Sequence, residues 1–495
     1  MLGLWPSHAE YQQHTAAELS LITKFNPHAL LEYENAISKL YILNLDPLKN
    51  LVAPLYSTTG CPAKNQSEIF RAFILMNALK CPLDKWIGKL ANCPVLQIAC
   101  GFRGKLPGIA SYYNFNSRII KLEEQPRFKK KKRKPRKKYG KGKMPPKHPG
   151  IVQKLVNYIL EDRRFHHRPE RLLQEIFAKV AVQPSIDLGL IPPTLSASGD
   201  GTCVETGASP YGRKTCGCRE KGIYDCDCPR KFSDPNAAWG WDSHKEQYFY
   251  GYMGYFISTY NRAEKLDLPL YLRIVAANRH DSVSAVVALA EFRDLYPSLT
   301  LDTFISDSAS DNYATYQLLD AWNINAVIAL NDHNTGNAIY PNSLKINEHG
   351  VPVCPGGREM VYWGFNPNDR CRIKWRCPRI CGKCEPRAAC CVCSPSPYGR
   401  VIYTKPDWDL RLFTKIPRGS VRFKLKMKER TATERVNNRI LHHYGLEESM
   451  VRGKKRISFF ATVAAFNIHL DAQLAKMKAL GLFDFHATFG VSAAA

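Results

Sequence analysis

Nowhere in these 495 residues does an apolar run reach about 18 residues, the length a membrane-crossing helix requires. The opening stretch, MLGLWPSHAEYQQH, has neither a basic start nor a long apolar segment, which argues against a secretory signal. Acidic residues are scarce, 44 Asp and Glu against 70 Lys and Arg, for a formal net charge of +26. A surplus this large points to a polyanionic partner. A hydrophobic content of 45% with 23% charged residues describes a folding chain rather than a disordered one. Cysteine is not scarce. There are 17, an odd number in a long chain without a signal, so a secreted disulfide framework is disfavoured and a reducing compartment expected, with thiols buried or on metal.

The charge is unevenly placed. RFKKKKRKPRKKYGKGKMPPK, 127–147, holds 13 Lys or Arg and no acid, half of the whole surplus. Such a run repels itself and has nothing to bury, so it reads as a solvated linker. It also reads as a phosphate grip, with Lys130, Lys131 and Arg133 as candidate contacts that gain affinity by releasing counterions. An anionic membrane surface would attract the run too, but no amphipathic helix beside it offers an apolar face.

Hydropathy patterning divides the chain. Residues 1–126 read as a helical region, broken by Gly and Pro in GFRGKLPGIASYYNF, followed by the basic linker (127–150) and a helical connector (151–193). From 194 the pattern changes to strands: TLSASGDGTCVE, YFYGYMGYFIST and LPLYLRIVAA. DSVSAVVALAEFRDLY then reads as a helix capped by Asp281, LDTFISD as a strand, NYATYQLLDAW as a helix and INAVIALN as a strand. Three sequential strands followed by alternation suggest a meander joined by crossovers, an α+β or α/β sheet flanked by helices. A Cys-, Pro- and Gly-rich segment, 336–420, interrupts this region, which resumes over 421–475. Residues 476–495 read as a frayed tail.

Three acids stand out by position. Asp200 lies in the first strand between Gly199 and Gly201, glycines that would let something approach the backbone closely. Asp307 ends the apolar strand in FISDSASDNYATY, and Glu434 lies on the helix after the insertion. An Asp at a strand end can be a helix cap or a solvated carboxylate. A trio brought together by folding can instead hold Mg²⁺ for phosphoryl transfer, two ions about 4 Å apart clamping the attacking and leaving oxygens. Asp311 reads as the cap of the helix that follows it; His280 with Asp281 could approach the acidic trio, but reads first as a turn with a cap.

Five ordered stretches carry a resemblance: SGDGTCVE, AANRHDS, FISDSASDNY, KERTATERVNNRILHHYGLE and RGKKRISFFATVAAFNIHLDA. Together 194–475 resemble the catalytic region of DDE-type insertion-sequence transposases, and 65–116 resemble their helical N-terminal domain. The resemblance implies an RNase H-like fold with a five-stranded mixed sheet. It implies catalytic and metal-ligand roles for Asp200, Asp307 and Glu434, with two Mg²⁺ or Mn²⁺ ions, Asp200 bridging them. It gives Arg430, one turn before Glu434, a phosphate or DNA-backbone contact, matching the arginine of the family's Tyr-x2-Arg-x3-Glu-x6-Lys signature. The signature's tyrosine and lysine are replaced by Met427 and Leu441, and Arg439 or Lys454 are candidates to compensate. The implied partners are transposon-end and target DNA, bound by at least a dimer at the nucleoid in the cytoplasm. The implied reaction is cleavage at the element's 3′ end followed by strand transfer. A metal-dependent RNase H-like nuclease, or an inactive DNA-binding derivative, would share the same acids or the same basic surface.

CGCREKGIYDCDC places Cys216, Cys218, Cys226 and Cys228 in two CxC pairs, a set that suits structural Zn²⁺. Buried thiols and, under oxidation, disulfides are the other readings. The insertion adds Cys354, Cys371, Cys377, Cys381, Cys384, Cys390, Cys391 and Cys393 in irregular spacing. It also carries the basic runs RCRIKWRCPR and IPRGSVRFKLKMK, as a DNA-facing insertion would.

Overall fold

The computed structural model describes all residues except 27, 122–127, 130–148, 166–169, 333–338, 369, 385–392, 449–450 and 492–495. The β-branched and aromatic runs form one mixed sheet from β1 (Thr194–Glu205), β2 (Ala238–Asp242), β3 (Gln247–Asn261), β4 (Leu266–Ala276), β5 (Thr300–Ser306) and β6 (Asn325–Ile328). β3 runs antiparallel to both β1 and β4, whereas β1, β5 and β6 are mutually parallel neighbours. β2 pairs with the start of β3 and makes six strands where the sequence suggests five. Its five residues, AWGWD, are too few to show a period, and cross-strand ring pairs hold them: Trp239 against Tyr250 and Trp241 against Tyr248.

Helices cover the sheet: α1 (Gln66–Ala78), α2 (Ile151–Leu160), α3 (Asp281–Leu295), α4 (Tyr313–Ala321), α5 (Val421–Glu429), α6 (Thr431–Asn438) and α7 (Lys454–Ala479). α3 is apolar almost all round because it is covered on both sides, by the sheet and by α2, where Val286 meets Val156, Ala314 and Leu318. α7 is buried for the same reason. It lies between the sheet and the N-terminal helices, with Phe466 on Phe70, Phe459 on Phe73, and Asn467 Nδ2 donating to the Ile74 carbonyl at 3.1 Å. Among the described residues one hydrophobic core therefore runs from the N-terminal helices into the sheet.

Two local expectations change. The GFRGKLPGIASYYNF stretch contains the start of a helix, Ile109–Ile119, directly after Gly108. The stretch expected to fray forms a short helix, Phe485–Phe489, whose two end rings are buried and whose Phe489 carbonyl accepts from Thr23 Oγ1 at 3.0 Å. The insertion folds as a separate small sheet of β7 (Val361–Asn366), β8 (Arg372–Arg376) and β9 (Val401–Thr404) over Val351, Met360, Ile373, Trp375 and Phe413. Lys130, Lys131, Arg133, Cys390 and Cys391 lie outside the described residues. Among the described residues no helix is long and apolar enough to cross a membrane.

Candidate functional site

Parallel pairing of β1 with β5 sets Ser198 beside Ile305, and two residues further on each strand come Asp200 and Asp307. The two carboxylates are thus level where β5 ends, beside a β1 that runs on to Glu205, and the carboxyl end of a parallel strand is where ligand crevices form in open α/β sheets. Asp307 is a cap as well: its Oδ1 accepts from the Ala309 N–H at 3.1 Å and starts a short 3₁₀ turn. Ser306 fixes the same corner, donating to the Gly199 carbonyl at 3.3 Å and to Ser310 Oγ at 2.8 Å. α6 brings Glu434 over this strand end. Its neighbour Thr433, fully buried, hydrogen-bonds the Ser198 carbonyl at 2.9 Å and the Ser198 hydroxyl at 2.6 Å.

Arg430 and Glu434 are one turn apart and joined through the guanidinium, whose other nitrogen lies 3.8 Å from Asp200 Oδ2. Burial, and then the Asp307 charge, push the Asp200 carboxyl up to about 7 against an ordinary 3.8, with Arg430 pulling the other way. Burial and Asp307 likewise raise Asp281 to about 6. Asp307 is the strongest charged neighbour of both. Both groups hold their proton more tightly in the fold than in the unfolded chain. The native state therefore binds extra protons between about pH 4 and pH 7, and their contribution to stability is lost as pH rises through that window. For Asp200 the ceiling is about 4 kcal/mol. Chelator-treated wild type should lose thermal stability relative to Asp200→Asn between pH 5 and pH 7.5, and Mg²⁺ should restore it. Parallel pH curves for the two proteins would contradict this.

Asp281 is the site residue that sequence reasoning misassigned. The cap of α3 is His280, whose Nδ1 accepts from the Ser282 N–H at 3.3 Å. Asp281 turns instead toward the strand end, and its buried Oδ1 has no hydrogen-bond partner. A Cβ on Gly201 would sit 2.5 Å from that oxygen, so the glycine makes the room the carboxylate occupies. Gly199 does the same for Tyr255, whose buried hydroxyl would lie 2.3 Å from an added Cβ. The flanking glycines were the readable signal, and what approaches them is the protein's own side chains. Asp281→Asn keeps the shape and removes the charge. It should weaken Mn²⁺ binding by about 10- to 100-fold in calorimetry, whereas an unchanged affinity would make Asp281 a bystander.

Other expected residues lie elsewhere. Asp311 is not a cap; Asn312 is, accepting from the Thr315 N–H at 3.0 Å. Asp311 is buried and forked by Arg411, with Nε at 2.9 Å from Oδ1 and Nη2 at 2.7 Å from Oδ2, and it also accepts from Tyr316 and the Asn331 N–H. Arg439 is engaged with Asp471 at 2.9 Å and Lys454 with Glu170 at 2.7 Å, so neither joins the acidic cluster. Met427 packs on the apolar patch of Ile305, Val327, Ile416 and Phe423, and Leu441 is buried.

The four cysteines do gather. The sulfurs of Cys216, Cys218, Cys226 and Cys228 lie within 4.8 Å of one another, an arrangement that can hold a metal ion. Among the described residues no carboxylate trio is drawn that tightly together. On the insertion sheet, Ile373 and Trp375 face its core, while Arg372 lies over the Tyr403 ring and Arg376 over the Trp363 ring. No protein-family model matches the sequence, and no curated protein matches it.

Proposed function

We propose that this chain is a DNA transposase of the DDE kind, with an RNase H-like catalytic core that cuts a transposon end and joins it to target DNA. The observation that carries the reading is the placement of Asp200 and Asp307 level on neighbouring parallel strands, with Glu434 brought over them by a helix pinned at Thr433. The strand order supports the reading: with β2 set aside, β4, β3, β1, β5, β6 with only β3 reversed resembles the order of an RNase H-like sheet, and the glutamate helix follows an insertion, as in the family the sequence resembles.

The donor set suits Mg²⁺ or Mn²⁺. The candidate donors Asp200, Asp307 and Glu434 are all carboxylate oxygen, and burial together with the Asp307 charge raises the Asp200 carboxyl to about 7, a cost a bound cation would relieve. Two such ions, when bound, would supply Lewis acidity at the scissile phosphate and lower the cost of forming the attacking oxyanion. The chain's own residues do the positioning. Asp200 and Asp307 hold the fixed side of the site on rigid strands. Glu434, now paired with Arg430, would be the third residue to hold the cation, and the Arg430 guanidinium would then be free to contact a DNA phosphate. In the first step a water oxygen attacks phosphorus, the P–O3′ bond breaks, and the 3′ oxygen leaves as a hydroxyl. In the second that hydroxyl attacks a target phosphodiester and displaces the target's own 3′ oxygen. Two ends require at least two copies of the chain. At the cysteine cluster the corresponding reading is one structural Zn²⁺.

Supplying a pre-cut end, its 3′-hydroxyl already free, together with plasmid target tests the joining step. Metal-dependent insertion into the plasmid supports a transposase. Metal-dependent cutting of the plasmid without any joined product would make the protein a nuclease.

A further inference from the structure

Between β1 and β2 the chain leaves the sheet for about thirty residues, 206–234, a length at which a loop is usually either functional or a linker. Both ends of this excursion are tied down at Asp234. That buried carboxylate accepts from Thr206 Oγ1 at 3.0 Å, Tyr252 Oη at 2.6 Å and the Gly453 N–H at 2.8 Å. Between the tied ends, the two-residue strands Arg213–Lys214 and Arg230–Lys231 pair antiparallel.

That pairing needs an explanation. Its register sets Arg213 opposite Lys231 and Lys214 opposite Arg230, two like-charge pairs in a ribbon two residues long. Like charges directly opposed destabilise a ladder, and so short a hairpin has no stability of its own. A third strand of the same sign is added when Phe128–Lys129, at the mouth of the basic linker, pairs with Lys231 and Arg230. What lies beyond the ribbon is the cysteine cluster: Cys216 comes two residues after Lys214, and Cys228 two residues before Arg230. The Sγ atoms of Cys216 and Cys226 are 3.5 Å apart, and those of Cys218 and Cys228 3.6 Å. Both are far longer than a disulfide and close to the roughly 3.8 Å edge of a tetrahedron with 2.3 Å Zn–S bonds. Apart from Asp234 at the tied ends, the acids of the excursion, Glu220, Asp225 and Asp227, lie in the loop at the cysteine end, so the paired strands present cations alone. Arg213, Lys214 and Lys231 are exposed, as are the Tyr211 and Tyr224 rings.

We propose that one Zn²⁺ on Cys216, Cys218, Cys226 and Cys228 staples the like-charged ribbon Arg213–Lys231 into a DNA-gripping arm. The inference rests on the zinc reading and goes beyond it. The ion holds together strands whose charges oppose their pairing, and duplex phosphates are the ligand that relieves the repulsion. The arm reads no sequence. It adds backbone contacts next to the linker and fixes where that polybasic run begins.

The full chain tests this with a random-sequence 30-base-pair duplex in Mg²⁺-free buffer, so that the acidic site does not enter. Three proteins are compared: wild type, Cys218→Ser with Cys228→Ser, and Arg213→Ala with Lys231→Ala. Metal analysis should find one Zn²⁺ equivalent fewer per chain in the cysteine variant than in wild type, and trypsin should then cut at Lys214 or Lys231. The Arg/Lys variant should keep its zinc. Both variants should bind the duplex about tenfold more weakly. The slope of log affinity on log salt should be shallower by roughly 2 for the Arg/Lys variant. Unchanged zinc content in the cysteine variant, or Cys216–Cys226 and Cys218–Cys228 disulfides in protein purified under reductant, would overturn the zinc reading. Zinc lost as expected but with wild-type DNA affinity and salt slope in both variants would overturn the arm and leave the zinc reading standing.

Discussion

Asp200→Asn is expected to stabilise the metal-free protein at pH 7.5 by up to about 3–4 kcal/mol while lowering metal-dependent DNA cleavage by about a thousandfold or more. The two effects share one cause. Asp200 is held in a site where burial and the Asp307 charge disfavour its ionised form by more than Arg430 offsets, a cost that a bound cation would relieve. An amide of the same shape escapes the repulsion and can no longer hold the cation. A residue that served only the fold would behave otherwise, losing stability with its hydrogen bonds. The check is a pair of urea titrations with chelator and with 10-fold excess Mg²⁺ over its half-saturating level. Wild type should gain markedly from Mg²⁺ and Asp200→Asn should not. If the variant is less stable than wild type without metal, the carboxylate is structural and the site assignment falls with it.

The second large effect is at Asp311. Arg411→Met should cost about 3–5 kcal/mol, because it takes the forked guanidinium away from a fully buried carboxylate. The double change with Asp311→Leu should recover much of that loss, since two buried charges are then replaced by apolar groups of similar volume. The pair joins the insertion to the turn that follows Asp307, and Arg418 extends the link by donating to the Arg411 carbonyl at 2.6 Å and to Tyr316 Oη at 2.8 Å. Hydrogen exchange should therefore report loosening at 307–316 as well as around Arg411. A single variant within about 1 kcal/mol of wild type would mean that the fork is solvated and carries little.

The larger strands were legible because apolar and β-branched runs are punctuated by turns; Asp307 stood out where its run ends, and Asp200 by the two glycines that flank it within its strand. The errors came where one residue's backbone angles decide the outcome. His280, not Asp281, and Asn312, not Asp311, have the extended conformation a cap requires. In each case the neighbouring acid was freed for another role, one facing the site and the other buried against Arg411. β2 was missed because its stabilising contacts are cross-strand aromatic pairs, which sequence spacing does not encode. The N-terminal helices read as a domain because their own periodicity is complete, but the ring contacts of Phe70 and Phe73 with α7 make them part of the same core. The cysteine cluster was legible as two CxC pairs. Its relation to the opposed cations was not, since that depends on strand register.

The most direct measurement uses linear DNA carrying the gene's own flanking sequence, incubated with wild type and with Asp307→Asn in Mg²⁺, in Mn²⁺ and in chelator. Cuts should map to the flanks, require a divalent cation, and disappear in the variant although its DNA binding persists. Cutting that continues in Asp307→Asn, or that proceeds in chelator, would leave Asp307 as a cap of the 3₁₀ turn and contradict a catalytic metal site at the end of β5 beside β1.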